Sequence, residues 1–326
     1  MQTLPLLTWP DNIYAVDAGY VRPGLAAVHL IVEKGRVAVV DTAHNAALPR
    51  FLAALSHLGL TPEAVDYVFL THVHLDHAGG AGAYMARLPN AKLVVHPRGA
   101  RHMIDPARLF AGTVEVYGAE NARRLYGEPV PVPPEKVIEA ADGQVFELAG
   151  RPLQCLHTPG HAKHHLCLWD ERARACFTGD AFGIAYRDPS RADDSSTKHN
   201  RPQTPFLIPA TTPTQFDPEA MKASIHRLIA LEPVAMYLTH FSRVEDAPRR
   251  AVDLLRRIDT FVLLAEAAPG EGEARKEAIH ARIERYLLDE APAESREWLK
   301  PILAVDMELD AQGLAYWCEQ RRESGG

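Results

Sequence analysis

The chain has 326 residues, 47% hydrophobic and 24% charged, with a formal net charge of −7. That is ample apolar material for a large core, and the acidic balance offers no basic face to a nucleic-acid backbone. No window is long and apolar enough to predict a membrane span, and the opening "MQTLPLLTWPDN" has neither the basic start nor the apolar run of a secretory signal. The expectation is a cytoplasmic protein with no nucleic-acid or membrane partner. Cys155, Cys167, Cys176 and Cys318 are widely spaced, form no CxxC pair and read as buried reduced thiols.

In chain order, "NIYAVDAGY" and "LAAVHLIVEKGRVAVVDTA" predict β-structure, with "EKGR" turning a hairpin. "ALPRFLAALSHLGL" carries apolar residues at helical spacing and stops at Gly59. "VDYVFL" is a buried strand, followed by "THVHLDHAGG", a small-residue helix and the strand "AKLVVHP". Residues 100–127 read as irregular helix, and "EPVPVPPEK" as a surface connection. Strands return in "RPLQCLHTPGH", "HHLCLWDERARACFTGD" and "VAMYLTHF", with "DERAR" as a hairpin turn and a helix beginning at Pro218 before the last strand. Two halves of mixed strands and helices suggest sheets sandwiched between helices. Residues 184–216 are Pro-, Ser- and Thr-rich without periodicity and predict a long irregular loop, either functional or disordered. The expected division is a site-bearing domain over 1–245 and a helical extension over 246–326 packed on it.

The chemistry concentrates at strand ends. His72, His74, Asp76 and His77 fall within six residues between a strand and a helix. Imidazole and carboxylate without thiolate suit zinc, iron or manganese, and do not suit a structural zinc site. His161 in "TPGH", Asp180 in "FTGD" and His240 in "YLTH" repeat the same placement after later strands. Strand ends are rigid, so ligands there are held with little reorganisation.

These fragments, THxHxDH, TPGH, TGD and a final TH, resemble the ligand motifs of the metallo-β-lactamase fold superfamily over residues 13–245. The resemblance implies an α+β protein, a four-layer αβ/βα sandwich with an added C-terminal helical region. It further implies two divalent metal ions, zinc above all with iron or manganese as alternatives. His72, His74 and His161 would bind one; Asp76, His77 and His240 would bind the other; Asp180 would bridge them. Asp41, in "AVVDT", matches an acidic position beneath the family's site and would orient a histidine through its ring N–H. Asp180 stands where the commonest β-lactam hydrolases place Cys, so the pattern is similar to the glyoxalase II and lactonase-like branches.

Such a pair of metals, roughly 3.5–4 Å apart, holds a bridging hydroxide, which predicts hydrolysis of a small ester, thioester or lactone. Asp76 and Asp180 would move the proton, and Tyr186 would donate to the developing oxyanion. The alternatives are a diiron redox member of the fold and a metal-retaining signalling or binding protein. His165 reads as a structural neighbour of the ligands, His164 as facing solvent, and His44 and His96 as core or rim positions. Tyr20 and Arg22 are expected on the rim. Arg191, Lys198, His199, Arg201 and Phe206 are expected in a lid or substrate wall. The expected partner is a small-molecule substrate, and a homodimer is left open as the assembly. The substrate's identity is not written in these motifs.

Overall fold

A computed structural model describes residues 6–188, 204–211 and 214–324. In chain order, β1 (Leu6–Trp9), β2 (Ile13–Asp17), β3 (Ala27–Glu33) and β4 (Arg36–Val40) precede α1 (Leu48–His57). Strand β5 (Val65–Phe69) leads to α2 (Leu75–Ala78) and α3 (Ala81–Arg87), and β6 (Lys92–Val95) to α4 (Pro97–Ile104), α5 (Ala107–Tyr117) and α6 (Ala119–Tyr126). Then come β7 (Val137–Glu139), β8 (Val145–Leu148), β9 (Arg151–His157), β10 (Leu166–Asp170), β11 (Ala175–Gly179), β12 (Ile184–Tyr186) and β13 (Phe206–Ile208). The chain ends with α7 (Pro218–Ile229), β14 (Ala235–Leu238), β15 (Ser242–Val244), α8 (Ala247–Glu266), α9 (Gly272–Glu290) and α10 (Arg296–Ser324).

Among the described residues the chain divides into two compact units. One holds the residues through His157 together with His164–Gly179 and Pro233–Glu245; the other holds Thr158–Lys163, Asp180–Glu232 and the chain from Asp246 onward.

The first unit is built on two sheets. A seven-stranded sheet runs β1 to β7 in order, antiparallel through β4 and parallel from β4 to β7. A six-stranded sheet has the order β15-β14-β11-β10-β9-β8, with only β11 and β14 parallel. Strand β4 shows how its sequence sets the layers. Ala38 and Val40 face the second sheet, packing with Phe69, Leu168 and Phe177, while Val37 and Val39 face the helices with Phe51, Leu55 and Tyr84. Both faces are covered, so the strand reads as an unbroken apolar run.

His29 is buried in this sandwich, edge-on to Phe177 and Tyr237. Burial pushes its pKa down to about 4, and the nearby Asp41 only partly opposes this. The unfolded chain therefore binds a proton near pH 6.5 that the folded chain refuses until about pH 4. The stability that His29 contributes is full above pH 6.5 and is lost as pH falls through that window, by roughly 3 kcal/mol. Urea unfolding of wild type and His29→Phe between pH 7 and 4.5 is expected to show wild type losing stability relative to the variant. Parallel pH profiles would remove His29 from the account.

In the second unit β12 and β13 form an antiparallel hairpin, with Ile184 opposite Ile208 and Tyr186 opposite Phe206. This corrects the reading of 184–216 as wholly irregular. Strands of three residues are too short to show periodicity, and only the apolar triplets around Ala185 and Leu207 mark them. The hairpin is held from α8: the Arg257 guanidinium lies 4.2 Å over the Phe206 ring and donates to the Leu207 carbonyl. Helices α8, α9 and α10 bury Phe261, Ile283, Leu287 and Leu303. Phe261 and Leu287 thus serve packing within the unit. Arg191, Lys198, His199 and Arg201 lie outside the described residues. No helix among the described residues is long and apolar enough to cross a membrane.

Candidate metal centre

Strand β5 ends at Phe69, and the chain leaves it through Leu70-Thr71-His72 into α2. The turn brings His72 Nε2 to 2.9 Å from His74 Nδ1. His77, one helical step beyond Asp76, is fully buried, with its Nε2 3.6 Å from Asp76 Oδ2. His240, after β14, places its Nε2 3.2 Å from both His77 Nε2 and Asp76 Oδ2. Gly80 lets α3 begin at this point: a Cβ there would lie 2.9 Å from the Thr42 carbonyl oxygen and 3.1 Å from that of His44.

Asp41 fastens the cluster from beneath. Its carboxylate accepts from Thr71 N (2.8 Å), from the hydroxyls of Thr71 (2.9 Å) and Thr239 (2.6 Å), and from His77 Nδ1 (2.8 Å). Asp41 is fully buried, with φ of +59°, a left-handed conformation that Asp and Asn tolerate better than most residues. Thr71 and Thr239 each precede a ligand candidate in the same "LTH" triplet. That repeat is the sequence signal for their role, which the motif reading passed over.

The hydrogen bonds place a proton on Nδ1 of two of the rings. His77 gives its Nδ1–H to Asp41, and His240 gives its Nδ1–H to the Leu25 carbonyl (2.8 Å). Where both rings are neutral, both Nε2 atoms present lone pairs, and with Asp76 Oδ2 they form a group of donor atoms all within 4.8 Å of one another. Acceptors facing acceptors in a buried site repel unless a cation lies among them. Two imidazoles and a carboxylate are a donor set that suits zinc, iron or manganese. The residues fit a divalent metal.

The second unit repeats the device. His161 sits in a turn sewn to the start of α7: Gly160 O accepts from Asp217 N (2.8 Å) and Pro159 O from the Ser224 hydroxyl (2.6 Å). Gly160 has φ of +136°, and a Cβ there would fall 2.3 Å from Met221 backbone atoms, so only glycine fits. His161 gives its Nδ1–H to the Ala210 carbonyl (3.0 Å), which turns its Nε2 to within 3.4 Å of Asp180 Oδ2. Tyr186 is buried, and its hydroxyl donates to Asp306 of α10. Thus His72, His74, Asp76, His77 and His240 gather in one unit, and His161 and Asp180 in the other.

Other histidines differ in part from expectation. His164 is buried rather than facing solvent, with its ring 5.6 Å from that of His74; the segment curls inward where β10 begins, as Leu166 N donates to Thr71 O. His165 is fully buried, stacked 5.0 Å from His72. His96 lies tilted against His157, ring centroids 4.1 Å apart, and burial pushes its pKa down to about 4. Tyr20 is buried instead of rim-exposed: its hydroxyl donates to that of Tyr126 (2.9 Å), and His44 lies 5.5 Å from its ring. Arg22 is half-buried, close to the Pro23 carbonyl (3.3 Å). The four cysteines are buried thiols, as expected.

The metallo-beta-lactamase superfamily model matches residues 21–240, which span this whole constellation. The chain belongs to the metallo-beta-lactamase superfamily. Its fold is the α+β metallo-β-lactamase fold with C-terminal helices added. A metallo-beta-lactamase fold-containing protein of Sulfurisphaera tokodaii is 25% identical over 239 residues, 70% of this chain and 78% of that one. A metallo-beta-lactamase family protein from Thermus thermophilus superposes with a TM-score of 0.60 at 21% identity, covering 98% of this chain and 93% of the other. That similarity shows fold alone. An atrochrysone carboxyl ACP thioesterase of Aspergillus chevalieri is 30% identical over 111 residues, 34% of this chain. The chain spans only 25% of that protein's length.

Proposed function

We propose that the chain is a metal-dependent hydrolase that uses a two-metal site to cleave a small ester, thioester or lactone. The observation that carries this reading is the convergence of Asp76 Oδ2 and the His77 and His240 Nε2 atoms on one largely buried point. In the order of the motifs, His72, His74 and His161 would hold one ion, Asp76, His77 and His240 the other, and Asp180 would be shared. Divalent ions held there supply Lewis acidity and lower the pKa of a bound water toward neutrality.

The chain's own residues do the rest. Asp41 holds the His77 imidazole in the tautomer that presents Nε2. Asp76 and Asp180 offer carboxylate oxygens that accept and return a proton beside the reacting centre. Tyr186 directs its proton to Asp306, so it donates to a developing oxyanion only by exchanging that partner. The thioesterase among the relatives makes a thioester the first substrate to try.

Metal analysis of gently purified protein, paired with a hydrolysis screen of thioesters, esters and lactones, tests the proposal. The nitrogen and oxygen donor set suits iron as well as zinc, so the metal analysis also decides between them. Fewer than about one ion per chain, or hydrolysis that survives complete metal removal, would overturn it.

A further inference from the structure

A single peptide group joins His161 to the C-terminal helix. The imidazole Nδ1–H donates to the Ala210 carbonyl (3.0 Å), and the N–H of that same peptide, on Thr211, donates to Asp310 Oδ1 (2.7 Å). The Thr211 hydroxyl lies 2.9 Å from the same Oδ1 and 3.0 Å from the Asp310 carbonyl oxygen. Asp310 and Thr211 are both buried. Asp306, one turn earlier on α10, accepts from Tyr186. Residues four apart share a helix face, so one face of α10 reaches both the His161 support and Tyr186.

The chemistry of the link is specific. An acceptor on the peptide N–H polarises the peptide and makes its carbonyl a stronger acceptor. A stronger acceptor at Nδ1–H fixes the imidazole tautomer and its orientation and makes Nε2 a better donor to a cation. Burying a carboxyl group is costly, and here its bonds go to the one residue whose peptide holds His161. Asp310 Oδ2 has no hydrogen-bond partner among the described residues. Its Oδ1 is committed to Thr211 alone.

We propose that Asp310 is a positioning residue for His161, acting through the Ala210–Thr211 peptide to aim Nε2 at a bound metal. The inference rests on the reading of His161 as a metal ligand. It assigns the C-terminal helix a part in building the metal site, beyond covering the fold.

The test measures zinc affinity of the apoprotein by competition with a chromophoric chelator, and the visible spectrum of the cobalt-substituted protein. Asp310→Leu removes the acceptor at similar size and is expected to weaken zinc binding about tenfold to a hundredfold and to change the cobalt spectrum. Asp310→Asn, which keeps an Oδ1 carbonyl, is expected to restore most of the affinity. In a His161→Ala background Asp310→Leu is expected to have no further effect. Circular dichroism and melting of the apoproteins establish that each variant folds, and Asp310→Ala replaces the leucine variant if that one does not. Unchanged affinity in Asp310→Leu, or the same loss with His161 already absent, overturns the proposal in favour of a purely structural carboxyl. Zinc binding that survives His161→Ala intact overturns the ligand reading itself, a separate outcome.

Discussion

His77→Ala is expected to lower kcat/KM on the best substrate by about a thousandfold, and to remove one equivalent of metal. His77 contributes one of three converging donors, and its loss leaves Asp76 Oδ2 and His240 Nε2 with too few partners to hold an ion. Lewis-acid activation contributes several kcal/mol of transition-state stabilisation, and each 1.36 kcal/mol corresponds to about tenfold in rate. The alanine also leaves the buried Asp41 carboxylate short of a donor. Metal content by mass spectrometry and steady-state kinetics on the same preparation check this together. Full metal occupancy with unchanged kinetics would remove His77 from the site.

The second large effect is expected from Asp41→Asn. Four donors converge on that carboxylate: Thr71 N, the Thr71 and Thr239 hydroxyls, and His77 Nδ1. An amide turns one acceptor oxygen into a donor and sets it against at least one of them. Asparagine tolerates the left-handed backbone that Asp41 adopts, so the substitution isolates the electrostatic effect. The expected cost is about 3 kcal/mol of stability, with metal affinity falling tenfold to a hundredfold as His77 loses its support. Denaturant unfolding of the apoprotein reads the first quantity and chelator competition the second. Equal stability and affinity in wild type and variant would show that the threonines suffice without a carboxylate.

Much of this fold and site was legible in the sequence because the signals were local. Alternation, turns and helical spacing located the strands from Ala27 to Val40, the "DERAR" hairpin and the helix from Pro218. The ligand candidates could be read from short motifs, since residue type and spacing mark the segments that follow β5, β9, β11 and β14. Short strands such as β12 and β13 escaped, because three residues carry no period. Arg151, a fully buried arginine paired with Asp170 (Nε to Oδ2, 3.0 Å), gave no local sign of its burial. Its partner lies across the β9–β10 hairpin, and only the pairing register brings the two together.

The sequence by itself therefore determined the family and marked the candidate donor residues, since residue type and spacing are local properties of the chain. What only the tertiary structure decided is which nitrogen of each of three histidines is engaged by an acceptor, and so which one would face a cation. That choice depends on acceptors far along the chain: Asp41 for His77, the Leu25 carbonyl for His240, and the Ala210 carbonyl backed by Asp310 for His161. An imidazole's tautomer is set by whatever accepts its other proton, and no spacing in the sequence places those acceptors.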